Sequence, residues 1–237
     1  MKTLYSILLI ILFTLITNGC RPSAQEYSDQ GQTKLLNRDY KGAIVDFNKA
    51  IEIFPDDASF YFFRGNAKNA LFNHMEAISD YTMVININPG GADAYLNRGH
   101  AKSYLKDHRG AIADYTKAIE INPKYTSAYV SRGLAKHKLQ DYNSAIDDYT
   151  MAILVDSKFS SAYYGRGNAK CALRDYMTAI EDFNKTIEIE PKNAEVYFNR
   201  GVAKFRIGQN DGACLDFSKA GELGFKGAYE AIKQYCQ

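Results

Sequence analysis

The sequence predicts an all-α solenoid of about six helix–turn–helix repeats, closed by a C-terminal capping helix. Three observations predict it. The run Arg-Gly-x-Ala-Lys begins at Arg64, Arg98, Arg132, Arg166 and Arg200, each 34 residues after the last. Within each period the apolar residues fall at helical spacing in two separate stretches. Most periods close on a proline, which can neither donate to a helix nor continue one.

In a frame that starts at Ala58, Tyr61, Tyr95, Tyr129, Tyr163 and Tyr197 take the fourth position. Gly65, Gly99, Gly133, Gly167 and Gly201 take the eighth, and Ala77, Ala111, Ala145, Ala179 and Ala213 the twentieth. Tyr81, Tyr115, Tyr149, Phe183 and Phe217 take the twenty-fourth. Pro89, Pro123 and Pro191 take the thirty-second, where Ser157 is the exception. One step back gives Tyr27, Gly31, Ala43, Phe47 and Pro55. The predicted repeats are therefore 24–57, 58–91, 92–125, 126–159, 160–193 and 194–227, followed by a capping helix over 228–237. One stripe in the third repeat runs through Tyr95, Leu96, Gly99, Ala101 and Leu105, and a second through Ala111, Ile112, Tyr115, Ala118, Ile119 and Ile121. Both have a period near 3.6 residues. Asp107, Asp141 and Asp175 stand where they can cap the second helix. His74 and His108 fall in the turns between helices and are expected to be solvated. Tyr229, Ile232 and Tyr235 give the last segment its apolar face.

This pattern resembles the tetratricopeptide repeat family, whose 34-residue unit places an aromatic, glycine, alanine, aromatic, alanine and proline at these positions. The resemblance covers nearly all of the chain after residue 23, and it implies a right-handed superhelix with a concave side. One departure is regular. Position 7, a leucine in the family, is Arg64, Arg98, Arg132, Arg166 and Arg200, and position 23 is Asp46, Asp80, Asp114, Asp148, Asp182 and Asp216. Arginine and aspartate in every repeat suggest an ion-pair ladder that sets alignment. Arg64 can reach Asp80 in its own repeat or Asp46 in the one before. Gln30 at position 7 of the first repeat leaves Asp46 without an arginine of its own, which favours Asp46 with Arg64. A glycine inside a helix costs about 1 kcal/mol relative to alanine. The expected compensation is close approach of the second helix, with Ala77 and its equivalents as the opposing small residues. The lysines four places after each arginine are expected to keep their ammonium groups in water.

The N-terminus has a different character. Leu4 to Ile16 is almost wholly apolar after a single lysine, and it is followed by Thr17-Asn18-Gly19-Cys20. The length suits a signal-peptide core and is short for a membrane span. The tetrapeptide resembles a bacterial lipobox, with Gly19 matching and Thr17 departing from the preferred aliphatic residue. It implies a lipoprotein signal over 1–19, acylation at Cys20, a tether over 20–23 and a membrane-anchored protein of the bacterial envelope, facing the periplasm or the outside. An uncleaved anchor and ordinary secretion are the alternatives. In an oxidising compartment Cys214 and Cys236 can pair if the last segment folds back, or stay as two small buried thiols.

Composition excludes some functions. Of 237 residues 46% are apolar and 24% charged, the balance of a globular chain. A net charge of +2 argues against a protein built to neutralise nucleic-acid phosphates. No phosphate loop, CxxC, HExxH or GxSxG is present, so no catalytic residue, cofactor or small-molecule substrate is expected. His100, His137 and Cys171 share one face of three successive repeats and are read as polar groove residues rather than metal ligands.

What remains is the groove. The family commonly binds peptide segments through positions 2, 5, 9, 12 and 13. Here position 5 supplies Phe62, Leu96, Val130, Tyr164 and Phe198, position 9 supplies Asn66, His100, Leu134, Asn168 and Val202, and position 12 includes Asn69, His137, Cys171 and Phe205. The resemblance implies apolar anchors beside amides for a partner's backbone. A carboxylate clamp has little to work with, since only Lys138 and Arg206 are basic at position 13. The expected function is a non-enzymatic scaffold, anchored to a membrane, that holds another protein. An RNA-binding helical repeat and an accessory subunit of an envelope enzyme complex are the alternatives.

Overall fold

The computed structural model describes residues 22–236. The lipobox-like stretch and Cys20 lie outside the described residues. Among the described residues the structure is wholly helical, with six helix pairs and a final helix. The pairs are α1 (Ala24–Leu36) with α2 (Tyr40–Ile53), α3 (Ala58–Ala70) with α4 (His74–Ile87), and α5 (Ala92–Tyr104) with α6 (His108–Ile121). Then come α7 (Thr126–Lys138) with α8 (Tyr142–Val155), α9 (Ser160–Ala172) with α10 (Tyr176–Ile189), and α11 (Ala194–Arg206) with α12 (Asn210–Glu222). The last helix, α13, is Gly227–Tyr235. The chain divides into two compact units, one ending at Pro89 and one beginning at Gly90. The first holds α1–α4 and the second α5–α13.

Local chemistry sets the helix ends. Asp39, Asp107, Asp141 and Asp175 precede α2, α6, α8 and α10, and each carboxylate accepts a hydrogen bond from a backbone N–H three residues on. Such a cap satisfies donors that have no partner within the helix. His74 and His108 are not free turn residues: they open α4 and α6, and His74 Nδ1 lies 2.7 Å from Asn69 Oδ1. Helix α8 ends at Val155 just as its counterparts do, although Ser157 replaces the proline. The proline is therefore not needed for that stop.

The turn inside each pair carries one residue in the left-handed region. Arg38, Phe72, Lys106, Gln140 and Arg174 have φ between 60 and 65°, and only Gly208 uses the residue suited to it. A side chain there costs about 1 kcal/mol or more. Phe72 is 80% exposed, so its ring buries little in return. Phe72→Gly is expected to raise the stability of the first unit by about 0.5–1 kcal/mol, seen as a higher urea midpoint.

The glycine of each first helix lies under an aromatic ring. A Cβ on Gly99 would stand 2.6 Å from the Tyr115 ring, one on Gly65 2.9 Å from Tyr81, and one on Gly167 2.7 Å from Phe183. The opposing residue is thus the aromatic at position 24, not the alanine at position 20. Those alanines are fully buried and fill the crossing beside it.

The Arg–Asp pairs run within repeats. Arg64 bonds Asp80 through Nε at 3.0 Å and Nη2 at 2.6 Å. Arg98–Asp114, Arg132–Asp148, Arg166–Asp182 and Arg200–Asp216 repeat the geometry, with Nη2–O distances of 2.6–2.7 Å. This corrects the expected pairing of Arg64 with Asp46. Asp46 instead meets Lys34 at 2.6 Å, the cation its own repeat supplies. The guanidinium does reach back one repeat, but to position 25. Arg64 Nη1 donates to Asn48 and Arg200 Nη1 to Asn184, while Arg132 and Arg166 donate to Thr116 and Thr150. Each arginine also lies over the tyrosine three residues before it, 5.4–5.7 Å from the ring centre.

The lysines need a second correction. Lys68, Lys102, Lys136, Lys170 and Lys204 do not hold their ammonium groups in water. Each lies 2.7–2.9 Å from the same aspartate, with 13–22% of the side chain exposed. Every rung from the second repeat onward is therefore two cations on one buried carboxylate.

The second unit closes on α13. Ala228 and Ala231 are buried, and Ala231 clusters with Ala213 and Phe217 of α12. A disulfide joins Cys214 of α12 to Cys236, just past α13.

Candidate binding face

The expected groove residues divide between the two units. Phe62, Asn66 and Asn69 belong to the first, on α3. The others belong to the second, on α5, α7, α9 and α11. No helix among the described residues is long and apolar enough to cross a membrane.

Position 5, expected to supply apolar anchors for a partner, is mostly a packing row. Phe62 meets Tyr81 at 6.1 Å between ring centres, Tyr164 meets Phe183 at 6.2 Å, and Phe198 meets Phe217 at 5.5 Å. Leu96 is 6% exposed. In each aromatic case the partner is the position-24 ring that also roofs the glycine. The side chain is thus held by the same crossing that forms the repeat.

Several polar members of the face are satisfied by their neighbours. Asn66 accepts from the Tyr81 hydroxyl at 2.8 Å, and Asn69 is engaged by His74. His100 Nε2 lies 2.9 Å from Ser131 Oγ of the next repeat. Asn199 donates to Tyr164 Oη at 2.9 Å and to Asn168 Oδ1 at 3.1 Å. The last three bonds cross from repeat to repeat and hold neighbouring first helices in register. Phe205 stacks on Tyr235 of α13 at 4.5 Å, and Phe225 covers Phe198 at 4.6 Å. The end of the chain therefore covers part of the face that the sixth repeat was expected to offer.

Between α7 and α9 the face opens. Val130, Leu134, His137, Tyr149, Ser161, Tyr164, Gly165 and Asn168 line a pocket of about 230 Å³. The lining is chiefly apolar. Leu134 is 49% exposed, while Tyr149 is buried beneath as the floor. The His137 ring stands edge-on to Tyr142 at 5.0 Å, and its Nε2 is shielded from solvent. Burial and the nearby Lys138 ammonium hold its pKa below the usual histidine value, against a backbone hydrogen bond at Asn168. The imidazole is therefore neutral at pH 7. Burial likewise pushes the Tyr164 hydroxyl up to about 12. Val130, His137, Tyr164 and Asn168 were expected on this face. Leu134 was expected there too, at position 9, and Tyr149 only as a packing aromatic; Ser161 and Gly165 were not singled out, although one signal was present. Position 6 is Asp29, Phe63, Asn97, Ser131 and Asn199 elsewhere but Gly165 here.

His100, His137 and Cys171 do not converge. His100 is engaged by Ser131, and burial, helped by Asp175, pushes the Cys171 thiol up to about 11. Among the described residues no group of three or more His, Cys, Asp or Glu side chains is placed to hold a metal ion.

Residues 92–125 and 126–159 each match the family model described as tetratricopeptide repeat, and 167–208 match one described as TPR repeat. No curated protein matches the sequence. Among solved structures, MamA is 27% identical, with a TM-score of 0.65, 73% of this chain covered and 94% of that one. YrrB, described as a TPR protein with an unusual peptide-binding site, is 21% identical, with a TM-score of 0.65, 79% of this chain covered and 97% of that one. A tetratricopeptide repeat protein from Parabacteroides merdae is 20% identical, with a TM-score of 0.70, 90% of this chain covered and 99% of that one. The last two likenesses speak to the fold alone.

Proposed function

This chain is a tetratricopeptide-repeat protein, and we propose that it is a non-enzymatic scaffold that holds a segment of another protein on the face of its first helices. The observation that carries this reading is the open apolar pocket between α7 and α9, on a face where His100, Asn168 and Asn199 already pair with neighbouring side chains. Binding energy concentrates where an apolar anchor fills such a pocket. The peptide-binding site ascribed to YrrB supports the class of ligand by analogy. A photo-crosslinking residue at position 134, exposed at the pocket, should yield one discrete protein adduct in native cells. The same residue at position 154, on α8 and 72% exposed, is the control and should not. Equal labelling from both positions would count against the groove.

The membrane anchor is the finer part of the proposal. The apolar segment Leu4–Ile16 followed by Gly19-Cys20 supports acylation at Cys20, and one acyl chain alone binds marginally, so several are required. The Cys214–Cys236 disulfide supports an exported location, because the cytosol keeps thiols reduced. Cys20→Ala should move the protein from the membrane to the soluble fraction. Unchanged fractionation would refute attachment through that residue.

A further inference from the structure

In the first unit α2 returns to the end where α1 begins. Lys49, near the close of α2, has its Nζ 5.0 Å from the ring centre of Tyr27, in the first turn of α1. At that end Ile53 and Phe54 are 52% and 53% exposed, and Ile87 at the close of α4 is 38% exposed. In the next four repeats the residue equivalent to Phe54 is polar: Asn88, Asn122, Asp156 and Glu190. Phe54 ends α2 with its backbone N–H, which donates to the Ala50 carbonyl at 2.9 Å. Any residue but proline makes that bond, so the ring is not needed for the cap.

Chain length decides what that end faces. Three peptide steps separate Cys20 from Ser23, the cap of α1, and they reach at most about 10 Å. With Cys20 acylated, Ser23 lies within about 10 Å of the headgroup layer at any tilt of the unit. The start of α1, and Ile53 and Phe54 beside it, is therefore kept at the bilayer surface. The other end of α1 is roughly 20 Å further along its axis and is free to stand clear. Charge narrows the kind of contact. Glu52, Asp56 and Asp57 flank the apolar pair, and Asp57 also accepts from the Ser59 backbone N–H at 2.8 Å. Such an end is not drawn to anionic headgroups. What it offers lipid is apolar: a ring and a branched side chain at the depth where headgroups meet acyl chains.

We propose that Ile53 and Phe54 are a membrane contact, entering the interfacial layer of a zwitterionic bilayer beside the acylated cysteine. This rests on the anchor reading above and adds which end of the first unit faces the lipid. The contact is too small to hold the protein alone. Tethering makes it intramolecular in effect, so a weak contact suffices to set the orientation.

The chain contains no tryptophan, so a single one reports its own surroundings. Phe54→Trp and Phe72→Trp place it at the two ends of the first unit, Phe72 being 80% exposed at the turn end. Each protein, expressed with its N-terminal segment and extracted from membranes, is reconstituted into phosphatidylcholine vesicles. Some vesicles carry bromine on the acyl chains close to the headgroup. Phe54→Trp should emit at shorter wavelength than Phe72→Trp and be quenched by the brominated lipid. Raising the salt concentration should leave that quenching unchanged, since the contact is not ionic. Phe72→Trp should be unquenched. A membrane-bound chain whose Phe54→Trp variant is quenched no more than Phe72→Trp would overturn the proposal and keep the anchor. A blue shift without quenching would overturn it too, by placing protein rather than lipid on that end. Quenching lost at high salt would replace the apolar contact with an ionic one and likewise overturn it. A chain recovered in the soluble fraction would sink the anchor reading, and this proposal with it.

Discussion

Arg132→Ala is expected to destabilise the second unit by about 3 kcal/mol, the lower end of the range for breaking a buried ion pair. The pair is buried, with 17% of the Arg132 side chain and 4% of the Asp148 side chain exposed. Truncation removes a bidentate contact to Asp148, a hydrogen bond to Thr116 Oγ1 in the preceding repeat, and stacking on Tyr129. The loss stays at the lower end because Lys136 Nζ remains 2.8 Å from Asp148, so the carboxylate is not orphaned. The same geometry makes the reciprocal change worse. Asp148→Ala strips the one anion from two cations, Arg132 and Lys136, both confined near the interior. It should cost more than Arg132→Ala, about 4–5 kcal/mol. Urea unfolding followed by circular dichroism orders the two variants. If Asp148→Ala proved the milder, the rung would not be two cations on one carboxylate.

That asymmetry shows what the sequence could and could not disclose. The 34-residue period, the caps and the Arg–Asp pairing class were legible, because each is a repeated physical requirement and repetition raises it above noise. The register of the pairs was not. Gln30 in the first repeat pointed to Asp46 with Arg64, but Lys34 fills that place, and a lysine one turn along a helix looks in sequence like any solvated lysine. Position 5 was misread for a similar reason. The position-5 residue of a repeat and the ring at position 24 meet only after the helices cross, so Phe62, Tyr164 and Phe198 read as anchors for a partner. The pocket was legible only as a departure, Gly165 in a column of side-chain-bearing residues, and a departure carries meaning once the column has been explained by packing.

Loss of the Cys214–Cys236 bridge should have a comparable but more local effect. The bridge spans 22 residues of sequence and ties α12 to the chain end beyond α13. Closing a loop of that size restricts the unfolded chain by about 3 kcal/mol in the chain-entropy picture. Helix α13 is nine residues long, too short to persist unsupported in water. Its remaining hold is a small patch, with Ala228 and Ala231 buried, Ile232 against the α12 cluster, and Tyr235 on Phe205. Cys214→Ser is therefore expected to lower stability by about 3 kcal/mol. It should also speed amide exchange in α13 while the amides of α7–α10 keep their protection in the native state. Release of α13 would bare Phe205, so dye binding to exposed apolar surface should rise in the same variant. Reducing agent added to the wild-type protein should reproduce both changes. If exchange in α13 stayed slow without the bridge, the apolar patch alone would hold the cap, and the disulfide would be a consequence of the export compartment rather than a requirement of the fold.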